Sequence, residues 1–270
     1  MSEEELRVSE GTMTPNEDAL SLRARLIGGE RLLGVLVRMP SEDLVEMAAV
    51  AGFDFVVVDC EHGPADILAL RHHLVIAESH RVPVIVRVGQ GDEGMILRVL
   101  DQGAAGILAP HLDTPEEAAD LVASCHYPPV GRRGFATYSR AGRFGQVTAA
   151  AHRDRNLSDT LVLGMIESPA GVAAAEGIAR VPGLDGIMIG PADLAAASGP
   201  KDLPVAQASV LVHAALAAAG RLRVDIVGST EAAAQAFGSG ANLVVYNLTH
   251  ALMTVLRAMT GARPANGRPA

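Results

Sequence analysis

The chain has 270 residues, with 22 basic against 31 acidic side chains and a net charge of −9; this balance, with no basic stripe and interleaved aromatics, argues against nucleic acid or an anionic membrane as partner. Hydrophobic residues make up 49% of the chain, yet Trp is absent and aromatics reach only 3%, so the core must be built from Val, Leu, Ile, Ala and Met. Two cysteines exclude a disulfide framework and a thiolate zinc site, and no window approaches the roughly 20 apolar residues of a membrane span, so a soluble, cytoplasmic protein is expected.

Residues 1–28 read as an N-terminal extension. They open acidic and polar, without the apolar core of a signal peptide. From there short apolar runs alternate with stretches of helical period. Strands are predicted at Leu32–Val37, Phe55–Asp59, Val84–Val88, Gly106–Ala109, Leu161–Glu167, Gly186–Gly190, Leu222–Val227 and Leu243–Tyr246. Helices are predicted at Ser41–Ala51, Ala65–Ser79, Gly94–Gln102, Pro115–Ser124, Pro169–Ile178, Val205–Ala219, Thr230–Ser239 and Leu252–Met259. Runs rich in β-branched residues without polar alternation suit strands buried on both faces, hence a parallel sheet. Eight such units predict one (β/α)8 barrel domain over residues 29–260, with 261–270 a C-terminal tail; a doubly wound open sheet is the alternative. The segment from His126 to Arg155 reads as a long excursion between the fourth and fifth strands.

Local chemistry agrees with this layout. Ser41 before Glu42 and Asp43, and Thr114 before Pro115, Glu116 and Glu117, are helix starts. Gly52, Gly103, Gly220 and Gly240 stand just after helices, where a left-handed residue is wanted.

The ends of the strands are polar in a consistent way. The second runs into Asp59-Cys60-Glu61-His62-Gly63-Pro64, the third ends in Arg87, the fifth in Glu167-Ser168-Pro169, and the sixth in Gly190-Pro191-Ala192-Asp193. In a parallel barrel these ends open on one face, where active sites are built. Singly, each residue has an ordinary structural use: Asp193 or Glu167 as a helix cap, Arg87 in an ion pair, His62 in a loop. Together they predict a site made of Asp59, Glu61, His62, Arg87, Glu167 and Asp193. His111, after Pro110 at the end of the fourth strand, is a candidate for the lining of the same pocket, whereas His72 and His73 are expected on the solvent side of a helix.

Lys201 is the only lysine, and it lies in a Gly-Pro-Lys-Asp loop. Schiff-base chemistry needs an amine held at the reacting centre, so acids, one His and one Arg point instead to metal-assisted carbon–carbon chemistry. Gly89-Gln90-Gly91-Asp92-Glu93-Gly94 fits G-x-G-x-x-G between a strand and a helix, and supports a competing reading as an NAD-dependent oxidoreductase. Asp92 and Glu93 would oppose a pyrophosphate there.

At these residues the chain resembles the class II, metal-dependent HpcH/HpaI aldolases. The likeness runs from about residue 30 to 258. It includes Ala51-Gly52-Phe53-Asp54, Asp59 to Pro64, Pro83 to Arg87, Leu108-Ala109-Pro110, Tyr127-Pro128-Pro129 with Arg133-Gly134, and Glu167 followed by Gly186 to Leu194. The resemblance implies cleavage or formation of a 4-hydroxy-2-oxo acid, with pyruvate and an aldehyde as the small-molecule partners. It implies Glu167 and Asp193 as the protein ligands of a divalent metal, Mg2+ or Mn2+, with Co2+ as a substitute. It further implies Arg87 on the keto oxygen and His62 as base, with Asp59 orienting it and Glu61 holding the water network. Backbone around Pro191, Ala192 and Asp193 would receive the carboxylate. Relatives form hexamers, trimers of dimers with exchanged C-terminal helices, so a homo-oligomer is expected.

The chain departs from the family pattern at four places. Met165 stands where many relatives carry a pyruvate-binding Gln, His111 where they carry an apolar residue or amide, Leu36 lies where a Trp is common, and Val245-Tyr246-Asn247 replaces a glycine-containing run. These leave open a decarboxylase or a carbon–carbon-forming synthase that uses the same enolate chemistry.

Overall fold

A computed structural model describes residues 21–64 and 66–261; residues 1–20 of the expected N-terminal extension and 262–270 of the expected C-terminal tail lie outside the described residues. Eight parallel strands close into a barrel in chain order: β1 (Leu32–Val37), β2 (Phe55–Asp59), β3 (Val84–Arg87), β4 (Gly106–Ala109), β5 (Leu161–Ile166), β6 (Gly186–Ile189), β7 (Leu222–Val227) and β8 (Leu243–Asn247). β8 returns to pair with β1, Leu32 opposite Leu243, so the open-sheet alternative is excluded. Around the barrel stand α1 (Leu22–Ile27), α2 (Glu42–Val50), α3 (Ile67–Ser79), α4 (Glu93–Asp101), α5 (Pro115–Cys125), α6 (Ala149–Asp159), α7 (Pro169–Ala179), α8 (Pro191–Ala197), α9 (Val205–Ala219), α10 (Thr230–Gly238) and α11 (Leu248–Thr260).

Alternation along each strand divides the apolar residues into two cores. Leu32 and Leu36, Phe55 and Val57, Ile85, Leu108, Leu161, Leu163 and Met165, Met188, Val224, Leu243 and Val245 point inward and fill the barrel. Val35, Val56, Val58, Val84, Val86, Ile107, Val162, Ile166, Ile187 and Ile189 point outward against the helices. The inner core needs small partners beside its large ones: a Cβ on Gly34 would lie 2.3 Å from the Phe55 ring.

Three helices have no counterpart among the predicted ones. α8 is one short turn pair, and α6 buries only His152 and Asn156, so neither carries an apolar period. α1 is six residues long, but its Leu22 and Leu26 plug the N-terminal end of the barrel. Arg23 ties it to Asp185 at 2.8 Å and Arg25 to Asp54 at 2.9 Å. Leu26→Ala is therefore expected to destabilise the fold by about 2–4 kcal/mol in urea melts, as for other buried leucines; a change below about 0.5 kcal/mol would mean that α1 does not close the barrel.

The helix starts and stops follow the sequence. Thr114 and Glu117 form a capping box on α5, and Ser41 caps α2. Gly52, Gly103, Gly220 and Gly240 all adopt positive φ. One expectation fails: His73 is buried in α3, not solvent-facing, and its ring nitrogens have no hydrogen-bond partner, while His72 is exposed as expected. Burial holds the His73 imidazole below its usual value, because a buried charge costs far more than the unpaired neutral ring. Among the described residues no helix is long and apolar enough to cross a membrane.

Candidate active site

The inward alternation carries past the apolar layers into the C-terminal mouth. Phe55 and Val57 are followed by Asp59, Ile85 by Arg87, Leu163 and Met165 by Glu167, Val245 by Asn247, and Leu36 by Arg38. Each polar residue is thus the next inward position of its strand. That parity, rather than loop flexibility, brings residues distant in sequence into one place.

Asp59 and Arg87 are register partners on β2 and β3. Asp59 is fully buried and accepts from Arg87 Nε at 2.9 Å, from Arg87 Nη2 at 2.5 Å and from Arg38 Nε at 2.8 Å. It also accepts the backbone N–H groups of Glu61 and His62, both at 3.2 Å. Burial pushes its carboxyl up, but the bonds and charge of Arg87, with His62 N–H and Arg38, outweigh this and hold it below the usual range. Arg38 was not singled out in the sequence, although it obeys the same parity as Arg87.

The loop after β2 is therefore pinned by Asp59 through its backbone. The His62 ring is 55% exposed, and its nearest acid is Glu61, with Nε2 to Oε2 at 3.9 Å. Asp59 acts on His62 through the main chain and not on the ring. Glu61 reaches Arg87 Nη1 at 3.3 Å from the other side. Cys60 lies in the same loop, its thiol pushed up to about 12 by burial and by the charges of Asp59 and Asp66, so it stays protonated and is no nucleophile.

Glu167 is buried directly after β5. His111 N–H donates to its Oε2 at 3.2 Å, and the His111 ring Nδ1 lies 3.2 Å from the same oxygen. The other oxygen, Oε1, faces Gly190, where a Cβ would come within 2.3 Å. Burial raises the Glu167 carboxyl; His111 opposes that shift, and the charges of Asp193 and Glu61 add to it. Neither proposed ligand caps a helix: Ser168 caps α7, and Asp193 sits in the first turn of α8 behind Gly190.

Beside Arg87 and Asp193 is a cavity of about 380 Å3, in the size range of small-molecule sites; Asp59, Glu61, His62, His111 and Glu167 are not among the residues that line it. Arg87, Arg38, Met165, Asp193 and the Pro191–Ala192 turn line it, with Asn247 and His250 at the start of α11. A larger hollow of about 740 Å3 lies outside the barrel between α7 and α9. Its wall is mostly Ala, Val and Leu, and its Glu176 and Arg180 stand exposed at the rim.

Glu167 and Asp193 fit a hard divalent cation. The donors are all oxygens, burial and the like charges of Asp193 and Glu61 disfavour a bare carboxylate at Glu167, and Gly190 leaves Oε1 the space that a Cβ would fill. Among the described residues no group of three or more His, Cys, Asp and Glu is placed to cage an ion alone.

The G-x-G-x-x-G stretch is used differently. Asp92 caps α4 by accepting from Met95 N–H at 2.8 Å, and Glu93 pairs with Arg132. A carboxylate already occupies the helix start where a pyrophosphate would sit.

A model of the HpcH/HpaI aldolase/citrate lyase family matches residues 33–258. A hydroxypyruvate/pyruvate aldolase from Sagittula stellata is 39% identical over 171 residues, 62% of this chain and 66% of that protein. The chain thus spans a little under two thirds of that curated relative's length. Among solved structures, an HpcH/HpaI aldolase/citrate lyase family protein from Burkholderia cenocepacia is 32% identical with a TM-score of 0.80, covering 90% of this chain and 99% of that one. A citrate synthase, SbnG, is 28% identical with a TM-score of 0.79, covering 90% and 97%.

Proposed function

Because the chain belongs to the HpcH/HpaI aldolase/citrate lyase family, we propose that it is a divalent-metal-dependent aldehyde-lyase. It cleaves or forms the carbon–carbon bond of a 4-hydroxy-2-oxo acid, with pyruvate and an aldehyde as the other partners. The observation that carries this reading is that Arg87 and Asp193 line the central cavity, with Glu167 buried against Gly190 and within reach of the Asp193 charge, in a chain whose sole lysine, Lys201, borders the outer hollow and not that cavity. Among the described residues no lysine lines that cavity to form an imine, which favours cations as the holders of charge on the pyruvate fragment.

Glu167 and Asp193 would hold the metal, Mg2+ or Mn2+, with Co2+ as a substitute. A divalent ion there supplies Lewis-acid stabilisation of negative charge on the keto oxygen. Arg87 supplies the protein's share. A guanidinium has five N–H donors, of which Asp59 takes one on Nε and one on Nη2 and Glu61 faces Nη1. The remaining donors are free for the keto oxygen, and Asp59 fixes their direction in advance. The N–H groups at the start of α8, around Pro191–Asp193, suit the substrate carboxylate. Met165 forms an apolar floor beside it. In the cleavage direction His62, exposed and beside Glu61, takes the proton from the hydroxyl as the carbon–carbon bond breaks and gives it to the enolate carbon of the pyruvate fragment; in the synthetic direction it takes a proton from the pyruvate methyl and gives it to the former aldehyde oxygen.

The test is release of pyruvate from 4-hydroxy-2-oxo acids by EDTA-stripped enzyme. We expect no turnover after stripping and recovery with Mn2+ or Mg2+; cleavage that survives chelation overturns the proposal. Product analysis separates a second reading, a synthase or decarboxylase using the same donor, which the similarity to a citrate synthase supports. We place the enzyme in the cytoplasm, its Cys60 and Cys125 being free thiols. We also propose a homo-oligomer, a hexamer built as a trimer of dimers. In its support, α11 buries none of its residues, and Met253, Val255, Leu256 and Met259 stand exposed along it, as a helix exchanged between subunits would.

A further inference from the structure

We infer that His111 is a positioning residue that holds Glu167 by one oxygen and so selects the other for the cation. The inference rests on the metal-lyase reading above and goes beyond it, because it assigns separate tasks to the two oxygens of one carboxylate.

Three observations converge on it. First, His111 has φ of 53°, a left-handed conformation that costs a non-glycine residue about 1–2 kcal/mol. Second, that conformation turns both its backbone N–H and its ring Nδ1 toward the same atom, Glu167 Oε2, at 3.2 Å each. Third, His111 makes no contact with the opposite oxygen, Oε1, which rests against Gly190 in the space that a Cβ there would fill. The loop is stapled in this posture: Leu112 N–H donates to Met165 O at 2.8 Å, and Ser168 Oγ donates to Asp113 at 2.5 Å.

The far ring nitrogen, Nε2, lies 3.9 Å from Glu61 Oε1, beyond hydrogen-bond reach, so Glu167 is the closer of the two acids. A carboxylate with one oxygen engaged twice cannot rotate freely or bind an ion through both oxygens. It presents Oε1 in a fixed direction, which is how partners behind a ligand raise metal affinity.

Two substitutions isolate the ring. His111→Gly keeps the left-handed backbone at no steric cost and retains the N–H, but removes Nδ1. His111→Asn tolerates the same conformation and returns an N–H donor near the place of Nδ1. Mn2+ binding to the metal-free full-length protein, read by the EPR signal of free Mn2+, should weaken about tenfold in His111→Gly and stay within about threefold of wild type in His111→Asn. Thermal melts without metal check that both variants fold. Wild-type affinity in His111→Gly, or equal weakening in both variants, overturns the inference while leaving the lyase reading in place. Wild-type Mn2+ binding that persists in Glu167→Gln overturns both.

Discussion

Glu167→Gln is expected to lower metal-dependent cleavage by about a thousandfold, since Lewis-acid stabilisation supplies several kcal/mol and about 1.36 kcal/mol corresponds to a factor of ten. Asp193→Asn should do the same. Among the described residues Glu167 otherwise contacts only His111, an interaction that an amide oxygen can still accept; Ser168 and not Glu167 caps α7, and Asp193 makes no ion pair. Stability should move the other way. Glu167 lies buried, and Asp193 and Glu61 bring like charge to it, so the uncharged amide relieves repulsion when no cation is present. Thermal melts therefore give a double readout. Without metal, Glu167→Gln melts at or above the wild-type temperature; with saturating Mn2+ only the wild type gains. Gly190→Ala reaches the same end by another path. Its backbone, at φ −90° and ψ 91°, accepts any residue, so the added Cβ acts only by displacing Glu167 Oε1 from 2.3 Å away. A melt gain with Mn2+ equal to wild type in Glu167→Gln would remove this carboxylate from the metal site.

The strands could be read because each has a physical signature that survives in one dimension. Their ends in the structure lie within one residue of the predicted ones, from Leu32–Val37 to Leu243–Asn247, as β-branched runs between turn signals dictate. The site was legible to the extent that it follows strand parity. Asp59, Arg87 and Glu167 are inward residues one step beyond the apolar layer, and sequence places them there once the barrel is granted. Arg38 obeys the same rule after Leu36, but its neighbours Met39 and Pro40 carry no chemistry to draw attention to it. What parity cannot give is which partner a polar group takes. The family resemblance implies Asp59 and His62 as a paired acid and base; in three dimensions Arg87 and Arg38 claim the carboxylate, and His62 donates to it only through its backbone N–H. Likewise the left-handed turn at His111 has no signal in the sequence, since a histidine there breaks the usual preference for glycine. α6 carries no signal of its own because His152 and Asn156 hold it through contacts to distant residues, and α1 is too short to show a period, its Leu22 and Leu26 finding their apolar partners only at the end of the barrel.

Arg87→Met should injure both catalysis and folding, and pH separates the two. Removing the guanidinium takes away the protein's donor to the keto oxygen, a loss of about a hundredfold or more in kcat by analogy with other oxyanion donors. It also strips Asp59, 0% exposed, of two of its three bonds to arginine and leaves Arg38 and two N–H groups. Breaking a buried pair from one side costs about 3–5 kcal/mol, and the surviving Arg38 places this case near the lower figure. The sign with pH follows from the direction of the Asp59 shift. Its folded-state value is held below the ordinary carboxyl value, so its contribution is complete above the unfolded value, about 3.9, and is lost as pH falls through the folded one. Without Arg87 the burial that pushes the carboxyl up is no longer outweighed, and the protonated acid becomes the better-tolerated form. The gap in unfolding free energy between wild type and Arg87→Met should therefore be widest near pH 7 and narrow steadily below about pH 5, as the variant's Asp59 takes up its proton first. Urea melts of both proteins across that range measure it. A gap independent of pH would mean that Arg87 stabilises the barrel by packing alone, and that the Asp59–Arg87 pair is not what sets the guanidinium before the substrate.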